Sequence, residues 1–408
     1  MKNFKFYHSY LILFIFAGLF LNSCKDNNTP EPTSYEYYLS SELKTQITSQ
    51  AAAANFIKAA PEAVAISPLI RFDVEVHKIT YKTTFKEKNI QASGLVCFPK
   101  AAGNYPILSF QNGTNTLYSE APTVNSNNDM FSIMESVTSM GFIVVIPDYI
   151  GFGASENIPH PYLDAKSSTQ SILDMIRAAK EYSTDAKVLA KASKDLFIFG
   201  YSQGGWATME LQKTIEKDYS SEFNLKASSC GAGPYSIEYM NKYIVDKIDY
   251  PMPYFLAYLL NSYDIIDAFT NPLTDFIQAP YAAKILGLFD GKHSGGAINA
   301  ELTTQMANFL TPEYRAGYAT DAKYAGVRSA FTSNSITAWN ATTPMKLFHG
   351  ADDDLIPSGL SQKMLADFKT KGMTDSKIQL VIIPNVGHTT GVYPTGMQTI
   401  LWFLSLLK

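Results

Sequence analysis

From Tyr105 to Ile383, short and nearly unbroken apolar runs alternate with longer stretches in which apolar residues recur every three or four positions. The runs predict strands at Tyr105–Phe110, Phe142–Ile146, Asp195–Phe199, Leu225–Ser229, Met345–Phe348 and Lys377–Ile383. The stretches predict helices over 129–140, 168–182, 205–219 and 359–369. Continuous apolar strands between helices imply an α/β fold, a mostly parallel sheet covered on both faces. A site on such a sheet belongs at the carboxyl ends of its strands. Upstream, Arg71–Phe85 and Ile90–Pro99 alternate in polarity around the turn Lys86–Asn89, which predicts an antiparallel hairpin. Residues 36–60 read as helical, ended by Pro61. The alternation breaks once. Residues 234–340, with stretches such as Tyr250-Pro-Met-Pro-Tyr-Phe-Leu, are too apolar for a loop and predict a large, mainly helical cap. The expected layout is a core over 36–233, the cap over 234–340 and the rest of the core over 341–408.

The first residues follow a different logic. Lys2 and Lys5 precede the apolar run Tyr10–Leu21, which is too short to span a bilayer comfortably. That run ends in Leu21-Asn22-Ser23-Cys24, which resembles the bacterial lipobox. The resemblance implies a signal peptide over 1–23, lipidation of Cys24 and membrane anchoring without a spanning helix. The polar segment 24–35 reads as a tether. The implied location is the periplasm or cell surface of a Gram-negative type of envelope. The other two cysteines, Cys97 in the hairpin and Cys230 just after a central strand, read as buried free thiols.

Composition narrows the function classes. With 408 residues, 46% hydrophobic and 17% charged, the chain can bury a large core. A net charge of −4 gives no footprint for nucleic acid. No G-x-G-x-x-G follows a strand, and no H-E-x-x-H or paired-cysteine pattern is present. No metal and no cofactor is expected.

The candidate chemistry lies at Gly200-Tyr201-Ser202-Gln203-Gly204, a G-x-S-x-G between an apolar strand and a helix. Composition alone would produce roughly 0.1 such matches in a chain like this. The context adds meaning: strand and helix can approach closely at Gly200 and Gly204, with Ser202 at the apex of the turn. The Gln203 N–H is then free to bind an oxyanion. Two later segments could complete a site. Asp352-Asp353-Asp354 follows the late strand, and the spacing leaves all three open as candidates. They do not form a calcium loop. His388 directly follows the last strand in Asn385-Val386-Gly387-His388. Of His8, His77, His160, His293, His349 and His388, it alone has both the order and the placement.

The order Ser…Asp…His on this strand–helix plan resembles the α/β-hydrolase superfamily over residues 70–408. The run His349-Gly350-Ala-Asp-Asp353-Asp-Leu-Ile-Pro357 resembles the superfamily's acid loop, which implies Asp353 as the triad acid. Gln111-Asn112-Gly113-Thr114 resembles the first oxyanion loop, with Asn-Gly in place of the common His-Gly, and implies the Thr114 N–H as second donor. The Gln-Asn-Gly-Thr loop, Asp148-Tyr-Ile-Gly-Phe-Gly153, His160-Pro161-Tyr162 and the long cap are similar to secretory-lipase-like hydrolases. That likeness implies a serine esterase or lipase acting on small-molecule or lipid esters through an acyl-enzyme on Ser202, without a cofactor. A serine peptidase or a polysaccharide deacylase would use the same three residues. A binding protein on a hydrolase scaffold would not need all three in order.

Overall fold

The computed structural model describes residues 35–59 and 61–407. The expected signal peptide, the tether up to Ser34 and Cys24 lie outside the described residues. In chain order the first half comprises β1 (Tyr38–Ile47), α1 (Ser49–Ala59), β2 (Val74–Phe85), β3 (Lys88–Pro99), β4 (Gly103–Gln111), α2 (Asp129–Val137), β5 (Ile143–Pro147), α3 (Ala165–Ser183) and β6 (Ala190–Tyr201). Then follow α4 (Gln203–Asp218) and β7 (Asn224–Gly231). The nine strands form one sheet whose ninth and eighth members, β9 (Ile378–Ile383) and β8 (Met345–Gly350), complete the order β1-β2-β3-β5-β4-β6-β7-β8-β9. β1, β2 and β3 are antiparallel, β3 meets β5 antiparallel, and the six strands from β5 to β9 are mutually parallel.

The apolar runs are explained by burial on both faces. Along β6, Leu196 and Ile198 enter one core, while Phe197 and Phe199 enter the other. β5 divides the same way, Ile143 and Val145 against Val144 and Ile146. Successive side chains on a strand point to opposite faces, so a strand covered on both sides is largely apolar. α3 and α4 pack on the first face. α1, α2 and the C-terminal α13 (Val392–Ser405) pack on the second.

The hairpin turn is tighter than expected. Phe85 pairs with Lys88, and Lys86 and Glu87 both lie at positive φ (46° and 59°), the conformation of a two-residue type I′ turn. The expectation of a helix over 36–60 holds only for α1. Residues 38–47 form β1, an edge strand paired with β2 from Tyr38↔Tyr81 to Ile47↔Val74. Most of its side chains are exposed, so main-chain pairing with the free edge of β2 decides its conformation rather than its own side chains. The entry to the strand is pinned by the Glu181 carboxylate, which accepts from the N–H groups of Glu36, Tyr37 and Tyr38 at 3.0, 2.9 and 2.7 Å. Cys97 and Cys230 are buried and free. Cys230 lies within β7 rather than after it.

Between β7 and β8 the chain forms seven α-helices: α5 (Ile237–Val245), α6 (Tyr254–Ile265), α7 (Tyr281–Leu288), α8 (Gly295–Ala300), α9 (Met306–Phe309), α10 (Pro312–Gly317) and α11 (Ala325–Ser333). This is the mainly helical cap, inserted ahead of the loop that carries Asp353. α12 (Ser358–Thr370) joins β8 to β9, and α13 (Val392–Ser405) closes the chain. No helix among the described residues is long and apolar enough to cross a membrane.

Glu135 on α2 is 2% exposed, and its Oε1 has no protein partner. Burial pushes its carboxyl up to about 8. Between the ordinary value of 4.5 and about 8 the unfolded chain releases this proton while the folded chain keeps it. Stability therefore falls as pH rises through that window and levels off above it. Glu135→Gln is expected to remove on the order of 3 kcal/mol of the decline between pH 5 and pH 8. Urea unfolding at the two pH values measures this. An unchanged decline contradicts the assignment.

Candidate active site

The sheet order sets where a site can form. From β4 the chain moves to one side to build β5, then crosses to the other side to build β6. The carboxyl ends of β4 and β6 therefore flank a topological switch point, where loops diverge and leave a crevice. The loop after β4 carries Asn112, Gly113 and Thr114, and the turn after β6 carries Ser202.

Ser202 lies at φ 58°, ψ −123°, between the last residue of β6 and the first of α4. A non-glycine residue held there is strained by about 1–3 kcal/mol. The surroundings over-determine it. Its N–H donates to the Gly231 carbonyl at 2.9 Å, and its carbonyl accepts from the Trp206 N–H at 3.2 Å. A Cβ on Gly200 would fall 2.2 Å from the Gly204 carbonyl oxygen, and a Cβ on Gly204 would fall 1.8 Å from that of Gln111. Only glycine permits this approach of β6, α4 and the loop after β4.

The three loops after β6, β8 and β9 meet. His388 Nε2 lies 2.8 Å from Ser202 Oγ, and His388 Nδ1 lies 2.7 Å from Asp353 Oδ2. A carboxylate only accepts, so Nδ1 carries the proton and Nε2 offers its lone pair to the serine hydroxyl. Asp352 and Asp354 are exposed, while Asp353 is buried. Its Oδ1 accepts from the N–H groups of Leu355 (3.1 Å) and Ile356 (2.9 Å). Burial works to raise the Asp353 pKa. Hydrogen bonds from His349 and His388, the charge of His388 and the Ile356 N–H outweigh it and hold the carboxyl well below its usual range.

Gln203 is the first residue of α4, where N–H groups have no partner within the helix. Gly113 lies against the serine, since a Cβ there would sit 3.8 Å from that of Ser202. Neither the Gly113 nor the Thr114 N–H has a protein acceptor among the described residues, so this loop offers two donors where the sequence singled out one. The Thr114 hydroxyl pairs with the Tyr162 hydroxyl at 3.0 Å.

Three supporting groups escaped the sequence reading. His349, set aside there, is fully buried behind the acid. Its Nε2 lies 2.8 Å from the Ile356 carbonyl and 3.2 Å from Asp353 Oδ2, and its Nδ1 lies 2.7 Å from Ser361 Oγ. Its place at the carboxyl end of β8 was the signal. His160 is held by the Ile150 carbonyl at Nδ1 (2.6 Å) and faces the Gln203 amide nitrogen with Nε2 (3.0 Å). Burial lowers its pKa to about 4, so it is neutral and accepts from Gln203. Tyr201 donates its hydroxyl to the His388 carbonyl at 2.7 Å, fixing the loop after β9. Nothing in the sequence marks that tyrosine. His77 and His293 bind elsewhere, to Tyr182 and Asp290. His8 lies outside the described residues.

Above Ser202 and His388 lies a cavity with about 510 Å³ of unfilled space, part of it continuous with solvent. α5 and α6 of the cap form most of its wall, with Ile237, Met240, Ile244, Phe255, Leu256 and Leu259. Among the described residues no group of three or more His, Cys, Asp or Glu side chains could hold a metal ion.

The sheet, the cap and the loops at the switch point define an α/β-hydrolase. The chain belongs to the secretory lipase family, which matches residues 116–405. It is thereby an ester hydrolase of the lipase or esterase kind, of a family named for secretion. Solved structures agree in fold. A Legionella pneumophila protein provisionally assigned as a hydrolase superposes with a TM-score of 0.81 at 23% identity, over 91% of this chain and 98% of that one. The rice cell wall degrading esterase LipA from Xanthomonas oryzae gives 0.74 at 23% identity, over 90% and 96%. Candida antarctica lipase A in its closed state gives 0.64 at 16% identity, over 90% and 81%. No curated protein matches the chain.

Proposed function

We propose that the chain is an exported serine esterase that cleaves carboxylic esters through an acyl-enzyme on Ser202. The observation that carries this reading is the continuous relay Ser202–His388–Asp353, with hydrogen bonds of 2.8 and 2.7 Å. Ser202 Oγ attacks the ester carbonyl carbon while its proton passes to His388 Nε2. Asp353 keeps the imidazole in the required tautomer and stabilises the imidazolium. The carbonyl oxygen becomes an oxyanion beside the Gln203 N–H and a donor of the loop after β4. Each such donor is worth about 2.7–4 kcal/mol in the transition state. The tetrahedral species collapses, and His388 gives its proton to the departing alcohol. Water then attacks the acyl-enzyme with His388 again as base, and the carboxylic acid leaves. The apolar wall of the cavity suits an acyl chain.

Labelling tests the nucleophile. A p-nitrophenyl alkylphosphonate is expected to inactivate the enzyme with one adduct per chain, located by peptide mass spectrometry on the peptide containing Ser202. Inactivation with the adduct elsewhere would sink the assignment. Turnover of a series of p-nitrophenyl esters beside aminoacyl anilides separates an esterase from a peptidase.

The apolar run Tyr10–Leu21 and the lipobox-like Leu21-Asn22-Ser23-Cys24 after it support export with a lipid anchor. Cys24→Ala is expected to move the activity from the membrane fraction to the soluble fraction of cells. An unchanged distribution rejects the anchor.

A further inference from the structure

Two polar side chains of the cap, Tyr250 and Asn241, interrupt the apolar wall above Ser202. Asn241, on α5, lines the cavity and is 2% exposed. The orientation of its amide follows from its neighbour. Tyr314 is fully buried, and its hydroxyl has Asn241 Oδ1 as its partner at 2.9 Å. A buried phenol must donate its proton, and only the amide oxygen can accept it. The oxygen therefore faces Tyr314, and the NH₂ group is turned away from it. Among the described residues no acceptor binds Asn241 Nδ2, and this nitrogen is not among the atoms sealed from solvent without a partner. It opens into the cavity that the residue lines.

The other polar groups of the lining are engaged. The Tyr250 hydroxyl donates to the Leu355 carbonyl at 3.2 Å, and Tyr162 pairs with Thr114. Ser202 and His388 belong to the relay. Asn241 thus places one unpaired donor in an apolar chamber. A purely alkyl chain would cover that donor and strip its water without replacing the hydrogen bond. A chain with a suitably placed oxygen would restore it.

We propose that the cavity selects acyl chains carrying a hydrogen-bond acceptor oxygen, a keto, hydroxyl or ether oxygen, which takes the free N–H of Asn241. The inference rests on the reading of Ser202 as the esterase nucleophile and adds the acyl class to it. Asn241 is a specificity-determining residue, held in orientation by Tyr314.

The test compares p-nitrophenyl octanoate with octanoates whose keto group is walked from the fourth to the seventh carbon. A ketone only accepts, so it reports on a donor. At one position the native enzyme is expected to show kcat/KM about 10-fold above plain octanoate. Asn241→Leu is expected to reverse the preference by supplying an apolar wall. Asn241→Met leaves Tyr314 a weak thioether acceptor but has no donor, and it too is expected to lose the preference. It covers the case in which the leucine variant fails to fold. No keto ester exceeding octanoate in the native enzyme overturns the proposal, as does a preference that survives in a folded variant. Ser202→Ala in parallel separates the two readings. Loss of turnover on every ester upholds the nucleophile whatever the keto series shows, and retained turnover rejects the nucleophile itself.

Discussion

Ser202→Ala is expected to lower kcat on p-nitrophenyl butyrate by about 10⁴-fold or more. The change removes only Oγ, the atom 2.8 Å from His388 Nε2. Among the described residues no other hydroxyl or thiol bonds to that nitrogen. The two thiols are sealed in the core, and burial pushes both of them up, away from the reactive thiolate. The backbone around residue 202 is fixed by the bonds to Gly231 and Trp206, which the variant keeps. Alanine holds the same strained conformation, so the melting temperature is expected to stay within a few degrees. Activity within tenfold of the native enzyme would mean that the acyl group is carried elsewhere.

Asp353→Asn is expected to cost about 10⁴ in kcat with little change in KM. The amide that replaces Oδ2 can present N–H to His388 Nδ1. The imidazole would then carry its proton on Nε2, facing a serine hydroxyl it could no longer deprotonate. The same residue leaves a mark on stability. Its folded pKa is depressed, so its contribution is full above the ordinary carboxyl value, near 3.8, and is lost as pH falls through the folded value. Acid unfolding below about pH 4 is therefore expected to be shallower in Asp353→Asn than in the native enzyme. Equal acid profiles would remove the linkage, and near-native kcat would remove Asp353 from the relay.

The core of this molecule was legible because its signals are local. β4, β5, β6, β8 and β9 announce themselves by apolar runs, since a strand packed against a core carries few polar residues. Ser202 and His388 each stand directly after such a run. Asp353 needed more: three adjacent aspartates are equivalent in the sequence, and burial of the middle one is decided by the fold of the loop after β8. β1 was misread as helix because its pairing with β2 owes little to its own side chains. α13 went unpredicted because Pro394 and Gly396 interrupt its pattern. Pro394 sits in the first turn, where no intrahelical N–H is required. The Asn241–Tyr314 pair joins residues 73 apart, and no local pattern announces such a contact.

The apolar chamber over the serine also bears on how the product leaves. Among the described residues no lysine or arginine lines it. An ester enters as a neutral molecule and gains from leaving water. The acid it becomes ionises near neutral pH, and a carboxylate with no cation beside it is strongly disfavoured in such surroundings. Asp353, ionised behind His388, adds repulsion of like charge. Such a chamber holds an uncharged ester better than the carboxylate that hydrolysis makes of it.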